Sequence, residues 1–179
     1  MTSRLNLSAI AVMMALGTSV SFAQVTVGGA SMYKNKDIID NAVNSKDHTT
    51  LVAAVKAAGL VETLKGPGPF TVFAPTNAAF SALPAGTVDT LLKAENKQML
   101  TNVLTYHVVP GRLDSAALKK QIASGNAMLK TVEGNTLTAA ATGNTITLTD
   151  SKGGMSKVTI ADVYQSNGVI HVVDHVLLP

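Results

Sequence analysis

The sequence predicts an α+β fold in which short helices come first and an antiparallel sheet comes last. Apolar residues recur at helical spacing through the first half of the chain, to about residue 122. From residue 127 onward, short runs rich in Thr and Val are separated by Gly-Asn, Gly-Gly and Asn-Gly pairs, which accept the positive φ of tight turns. No linker separates the two halves and no repeat is apparent, so we expect one domain.

The first 23 residues have the organisation of a secretory signal. A positive charge at Arg4 precedes an apolar run over residues 7–20, and Ser21-Phe22-Ala23 places small residues where a signal peptidase cleaves. The apolar run is short for a membrane span, which needs ~20 apolar residues. We therefore expect cleavage after Ala23, export to the periplasm or the extracellular medium, and no stable membrane insertion afterwards.

The remaining chain divides into residues 24–35, expected to be a flexible lead-in because of Gly28-Gly29, and a domain over residues 36–179. A chain of this length buries enough surface to fold without disulfides. The sequence contains no Cys, which excludes thiol catalysis and cysteine-ligated metals. Its basic residues are scattered, so it lacks the basic stripe that binding to nucleic acid needs.

The predicted helices are short, and most have a polar residue that can cap the start or a Gly or Pro that ends them. They are a first helix near residues 38–43 capped by Asn35 or Asp37, a second between Asp47 and Gly59, a third after Thr76 or Asn77, a turn or two near residues 88–92, a longer helix from Asn96 that ends before Pro110, and a last one capped by Asp114.

One strand, residues 70–74, is predicted inside the helical half, between Gly66-Pro67-Gly68-Pro69 and Pro75. The other predicted strands are separated by the turn pairs described above. They cover residues 128–132, 136–140, 145–149, 157–161 and 169–176. Alternation of Thr with apolar residues over 145–149 indicates a sheet with one solvated face.

Two patterns in the sequence have the spacing of a catalytic or a metal-binding motif, but their positions in the chain do not support either function. Ser31-Met32-Tyr33-Lys34 has the spacing of a serine–lysine acyl-transfer site, but it lies in the lead-in and no Ser-Asp-Asn follows. His171 and His175 are four residues apart, yet on a strand they would be roughly 13 Å from each other, too far to hold one ion. We expect no enzyme activity, no cofactor and no metal.

The other two histidines differ in their surroundings. His48 is expected at the surface near a helix start. His107 follows Tyr106 in an apolar segment and is expected to be at least partly buried, where a ring without a hydrogen bond would destabilise the fold. Two interpretations of His107 stay open, and they are compatible. It is a neutral core histidine, and it is also a candidate recognition residue that acts with Tyr106.

Three stretches, in this order, resemble the fasciclin domain family: residues 71–80, residues 104–109 with the Tyr-His motif, and residues 166–174, followed by a Leu-Leu-Pro ending. The resemblance covers about residue 38 to residue 179. It implies a fasciclin-type fold in which an antiparallel β-wedge or sandwich packs against a bundle of short helices. It also implies adhesion or extracellular recognition instead of catalysis.

The resemblance assigns partner binding to Tyr106 and His107, and to the pair Asp162-Val163, in which Val replaces the family's Ile. Of these, Asp162 is expected to be the most accessible. We therefore expect a secreted, monomeric module that binds a cell-surface or matrix protein.

The alternative is a periplasmic or extracellular binder of a polysaccharide or small ligand. The sequence has no Trp, and its Phe residues after position 23 are expected in the core, which leaves few rings to stack on a sugar.

Overall fold

The computed structural model describes residues 24–179, and the expected secretory signal, residues 1–23, lies outside the described residues. Within the described part, no helix is long and apolar enough to cross a membrane. The predicted α+β class is confirmed: short helices occupy the first half of the chain, and most of the strands come after them.

Seven α-helices lie between residues 24 and 179, and none is longer than ten residues. They are α1 (Ile38–Ala42), α2 (Thr49–Ala58), α3 (Val61–Lys65), α4 (Asn77–Ser81), α5 (Thr87–Leu91), α6 (Lys97–Tyr106) and α7 (Ser115–Ala123). Single 3₁₀ turns cover Lys46–His48 and Ala94–Asn96.

Side chains cap three helices where the sequence indicated caps. Asp37 accepts a hydrogen bond from the backbone N–H of Asp40, Thr76 from that of Ala79, and Asp114 from that of Ala117. Each cap satisfies an amide that has no partner within its helix. Gly59, at φ 73°, ends α2 in the left-handed conformation that glycine adopts without strain.

Nine strands form one two-stranded and one seven-stranded sheet within the described residues. They are β1 (Thr26–Val27), β2 (Ala30–Ser31), β3 (Phe70–Pro75), β4 (Val108–Pro110), β5 (Met128–Lys130), β6 (Thr136–Thr142), β7 (Thr145–Thr149), β8 (Met155–Gln165) and β9 (Gly168–Val173). β1 pairs with β2, and the larger sheet has the order β4-β3-β9-β8-β7-β6-β5.

The larger sheet is antiparallel as expected, except that β3 runs parallel to β9. The pair is central, because all six residues of β9 are buried and five of the six in β3 are. A strand from the helical half therefore lies beside the last strand of the chain, which joins the two halves into one unit.

Two segments differ from the expectation. Residues 26–31, expected to be flexible, form the β1–β2 hairpin, and Val27 and Met32 are buried in the core. β4 was expected to belong to the end of the long helix. Its β-branched residues pair instead with β3, and Val108 and Val109 are both buried, on opposite faces of the sheet.

The core has two parts, separated by the central strands. Val72 and Ala74 of β3 point into a cluster with the helices α1 to α6, whereas Phe73 between them points into a second cluster. The second cluster contains Tyr106, Leu118 of α7 and the inward residues of β5 to β7. Successive side chains of a strand point to opposite faces of the sheet, so β3 contributes residues to both clusters.

Candidate recognition site

Tyr106, the last residue of α6, is inside the protein with 0% of its surface exposed. Its phenol donates a hydrogen bond to the carbonyl of Thr136 (3.1 Å) and accepts one from the backbone N–H of Ser151 (3.1 Å). Burial raises the pKa of this phenol, so it stays neutral. Tyr106 therefore fastens α6 to β6 and to the turn between β7 and β8.

His107 follows as the C-cap of α6 and is 2% exposed. The backbone N–H of Leu177 donates to its Nε2 (3.0 Å), so the ring proton is on Nδ1, which donates to the carbonyl of Val103 (2.7 Å). Burial lowers the pKa of His107 to about 4, and the ring is neutral at pH 7. His107 holds the C-terminal segment against α6, which favours the core interpretation.

Asp162 and Val163 lie at an irregularity in β8, where the pairing with β9 shifts between Ile160 and Val163. Asp162 has φ 60°, an uncommon conformation for a residue other than glycine that Asp tolerates better than most. Its carboxylate accepts hydrogen bonds from the backbone N–H (2.6 Å) and the hydroxyl of Ser115, at the first turn of α7. Val163 is 1% exposed.

Of the four residues that the resemblance assigned to partner binding, Asp162 is half-buried and the other three are fully inside the protein. The structure does not bring Tyr106 and His107 together with Asp162 and Val163 at one surface. Tyr106 belongs to one core cluster and Val163 to the other.

His171 connects the Asp162 irregularity to the start of α7. Its Nε2 donates to the carbonyl of Leu113 (2.7 Å), and the backbone N–H of Asp162 points at its Nδ1 (3.4 Å). Burial lowers the pKa of this ring as well. β9 ends at Val173, so His175 is beyond the strand, exposed and 2.8 Å from the carboxylate of Asp174.

His48 was expected at the surface, and this prediction was wrong, because the ring is 3% exposed. Its Nδ1 is 2.9 Å from the hydroxyl of Ser45, while Nε2 makes no hydrogen bond within residues 24–179. Burial lowers the pKa of His48. Ser45 is equally enclosed, at 2% exposure, so both members of this serine–histidine pair are buried.

An open groove of about 580 Å³ borders Asp162 and Val163 on the outside. Its walls are the chain segment that follows β2, with Tyr33 and Lys34, and the end of β8, with Tyr164. A second recess of about 360 Å³ shares Lys34 and Tyr164 with it and extends to Arg112. We call the two together the Tyr33–Arg112 groove.

The groove presents rings and cations side by side. Tyr33 is 42% exposed, and the ammonium of Lys36 lies 5.0 Å from the centre of its ring. The ammonium of Lys34 lies 5.4 Å from the centre of the Tyr164 ring. Both distances are those of cation–π contacts.

Two buried amide side chains hold the walls of the groove together. Asn41, in α1, accepts from the backbone N–H of Tyr33 (3.0 Å) and donates to its carbonyl (2.8 Å). The same amide donates to the side chain of Gln165, whose own amide donates to the carbonyl of Val163. The backbone N–H of Ser166 also donates to the carbonyl of Lys36 (2.9 Å).

Sequence reasoning missed this groove. The sequence places Tyr33 and Lys34 in a rejected catalytic motif and gives Tyr164 no role. Arg112 lies in Gly111-Arg112-Leu113-Asp114, which is not an Arg-Gly-Asp sequence, so the sequence assigned it no role. The only local signal was that two of the three tyrosines lie in polar surroundings, next to Lys34 and Gln165.

The chain matches the Fasciclin domain family over residues 46–179. Protein sll1483 of Synechocystis sp. is 51% identical over 147 residues, which are 79% of this chain and 73% of that protein. The uncharacterized protein sll1735 of the same organism is 41% identical over 142 residues, 79% of this chain and 97% of that protein.

Among solved structures, the FAS1 domain pair of the insect cell adhesion molecule fasciclin I is similar, with a TM-score of 0.71 and 18% identity. The match covers 80% of this chain and 51% of the insect chain. At this identity the likeness concerns the fold alone, and it confirms the expected fold type.

Proposed function

This chain belongs to the fasciclin domain family, and from that premise we propose that it acts outside the cytoplasm as an adhesion or recognition module without catalysis. The insect protein of the same fold is a cell adhesion molecule, which supports this proposal. Export by residues 1–23 is part of the proposal and remains a prediction from the sequence. The partner we propose is a protein on a cell surface or in a matrix.

The observation that carries the proposal is the position of Asp162. The resemblance assigns partner binding to this residue, and it lies on the wall of the Tyr33–Arg112 groove. The groove is open and combines a few rings with charged and polar groups, as recognition sites commonly do. In this proposal the groove contacts the partner, and Tyr106, His107 and Val163 act indirectly because they hold the surrounding surface in place.

Asp162 has a role inside the protein that any binding experiment must separate from recognition. Its carboxylate fixes Ser115 at the start of α7, so removing it disturbs that junction even if no partner touches it. Asp162→Asn keeps an oxygen that can accept from the Ser115 N–H, and Asn also tolerates positive φ. It therefore removes the charge with little change of structure.

We expect immobilised wild-type protein to retain cells, and Asp162→Asn to retain at least threefold fewer in the same assay. Ser115→Ala is the matched control, because it removes the serine hydroxyl of the same junction and leaves the carboxylate. It should retain cells like the wild type. Circular dichroism spectra and melting temperatures would show that all three proteins are folded.

Equal losses in Asp162→Asn and Ser115→Ala would mean that the junction matters and the charge does not. Retention of no cells by any folded protein would contradict adhesion for the cells tested. The polysaccharide alternative then gains weight.

A further inference from the structure

We infer that an apolar cavity between the helices and the central strands binds a neutral amphiphile with one unbranched chain, whose hydroxyl pairs with His48. The cavity has a volume of about 60 Å³, and nine elements contribute to its lining: β1, α1, α2, α3, β3, α6, β4, β8 and β9. It adjoins the Tyr33–Arg112 groove, because Met32 and Val163 line both. The inference goes beyond the proposed recognition function and does not depend on it. It gives the small-ligand alternative a defined site.

The lining of the cavity is almost entirely apolar. No Lys, Arg, Asp or Glu side chain is among the lining residues in the described part of the chain. Its two threonines, Thr63 and Thr105, are exposed and half-buried respectively, and both ring nitrogens of His107 already make hydrogen bonds within the protein. A charged group would lose its hydration here without meeting an opposite charge. The cavity therefore favours a neutral ligand.

His48 supplies an unpaired polar atom in this lining. Its ring is 3% exposed, Nδ1 is paired with the hydroxyl of Ser45, and Nε2 is the one buried side-chain nitrogen or oxygen within residues 24–179 that lacks a hydrogen bond. Burial lowers the pKa of His48 more than the nearby backbone of Ala74 raises it, and that backbone makes no hydrogen bond with Nε2. A ligand that pairs with Nε2 therefore satisfies a buried group that the protein leaves unpaired. A hydroxyl can donate or accept, so it fits Nε2 in either tautomer.

The floor of the cavity is one row of β-branched residues across four neighbouring strands. Val72, in β3, pairs with Val108 on one side and with Ile170 on the other. Val163 follows beyond Ile170, and all four residues belong to the same core cluster. Beyond β4, the backbone N–H of Val132 donates to the carbonyl of Val108 (2.8 Å), and Val132 also lines the cavity. The cavity therefore runs across the strands, beneath the helices.

Val132 connects the cavity with the surface, because its side chain is 45% exposed. We place the end of the ligand chain there and its hydroxyl at His48. From Ala74, beside His48, to Val132 the path takes one two-residue step of ~6.6 Å along β3 and two steps of ~4.8 Å across strands, which is about 12 Å diagonally. An extended chain advances ~3.3–3.6 Å per three bonds, so about eight bonds and a hydrogen bond of ~2.8 Å cover this distance.

The volume of the cavity indicates a narrow shape. At ~10–15 Å³ for each water molecule, about 60 Å³ is room for about four to six of them. Over a path of about 12 Å, this corresponds to a single file of water-sized groups. An unbranched alkyl chain has this width, whereas a ring or a branched chain is wider. A medium-chain alcohol of the length of 1-octanol fits both the path and the width.

Methyl NMR titration of the purified protein with 1-octanol tests the inference, because it reports both the affinity and the position of the ligand. We expect 1-octanol to shift the methyl signals of Val72 and Val108 and to leave those of Leu137 and Leu148, in the second cluster, unchanged. Octanoate should bind at least tenfold more weakly, since its charge meets no cation in the lining. Cyclooctanol carries as many carbons and a hydroxyl on a ring, and it should also bind at least tenfold more weakly.

The variant His48→Leu tests the hydrogen bond, with octane as the ligand that has no hydroxyl. Burying a hydroxyl without a partner is unfavourable, so the affinity for 1-octanol relative to that for octane should fall at least fivefold in the variant. The affinity for octane should stay within about twofold of the wild-type value. Retained octane binding also shows that the variant is folded around an intact cavity.

The variant Val132→Trp tests the path of the chain. An indole at the exposed end of the row takes the space of the chain end, so 1-octanol and octane should both bind at least fivefold more weakly. Val43→Trp is the matched control, because Val43 is 47% exposed and does not line the cavity. It should bind both ligands like the wild type.

Absence of 1-octanol binding would overturn the inference, and so would shifts confined to residues outside the cavity. An unchanged preference for 1-octanol over octane in His48→Leu would contradict the pairing with His48. Equal weakening in Val132→Trp and Val43→Trp would contradict the path. None of these results bears on adhesion, because cell retention is measured without any of these ligands.

Discussion

At the scale of single residues, polar side chains to which the family resemblance assigns partner binding make hydrogen bonds within the protein itself. The side chains of Tyr106 and His107 make hydrogen bonds with four backbone groups, which lie on α6, β6, the turn before β8 and the C-terminal segment. Their loss would alter any surface that depends on the fold. Loss of binding in variants of these residues is therefore not evidence of contact with a partner.

His107→Ala should lower the free energy of unfolding by about 3 kcal/mol. The change leaves the Leu177 N–H and the Val103 carbonyl without the imidazole, which costs ~1–3 kcal/mol, and it also creates a cavity. Urea unfolding followed by circular dichroism measures this. His175→Ala, at an exposed position, is the control and should stay within about 0.5 kcal/mol of wild type. An unchanged midpoint for His107→Ala would favour recognition by that residue.

At the scale of elements, the β1–β2 hairpin belongs to the packed structure, although its sequence suggested a flexible segment. Gly28 and Gly29 both have positive φ, at 58° and 77°. Gly28 also lies against the 3₁₀ turn at residues 46–48, and a Cβ at this position would collide with the side chain of Ser45. A Cβ on Gly29 would meet nothing within 4 Å.

The two glycines provide a matched test of that packing. Gly29→Ala introduces only the strain of a left-handed alanine and should destabilise the protein by about 1–2 kcal/mol. Gly28→Ala adds the collision and should destabilise it further, by at least ~1 kcal/mol. Thermal or urea unfolding of both variants decides this. Equal effects would mean that the hairpin detaches from the domain without consequence.

At the scale of the whole molecule, three histidines are buried in different regions, and burial lowers the pKa of each one. His48 lies between the helices and the central sheet, His107 between α6 and the C-terminus, and His171 between β9 and the start of α7. The neutral ring of His107 accepts a backbone hydrogen bond, which its protonated form could not do. Acid should therefore destabilise the entire domain.

The direction of this pH effect follows from the pKa of the histidine in the folded and in the unfolded state. A histidine whose pKa is lower in the folded state binds its proton more readily when unfolded, so stability falls as the pH falls from about 6.5 towards 4. For His107, between the ordinary value of 6.5 and about 4, the full loss is roughly 3 kcal/mol. The hydrogen bond to the Val103 carbonyl and the Asp150 carboxylate both oppose the shift, and burial outweighs them.

Urea unfolding at pH 7 and at pH 4.5 should show this loss of stability. In His107→Gln, which offers an amide in place of the ring and does not titrate, the difference between the two pH values should be smaller by at least 1 kcal/mol. The same pH dependence in wild type and variant would mean that other groups, His48 and His171 among them, carry it.

Local features were predictable because neighbouring residues determine them. The caps at Asp37, Thr76 and Asp114 and the helix end at Gly59 depend on contacts within a few residues, and all four predictions are confirmed. β4 was not predicted, because its pairing with β3 joins residues almost forty positions apart. His48 was misplaced because its surroundings come from segments distant in the sequence, among them Val27 and Ala74, which line the same cavity.

The sequence by itself determined the class of the fold, the succession of helices before most of the strands and, through three ordered motifs, the family. These follow from periodicity, turn residues and capping groups, which act over short distances along the chain. Only the tertiary structure decided which side chains are accessible. It placed Tyr106, His107 and Val163 in the core, and it brought Tyr33, Lys34, Arg112 and Tyr164 to one groove. These four come from three separate segments, and packing, including the buried contact of Asn41 with Gln165, brings those segments together.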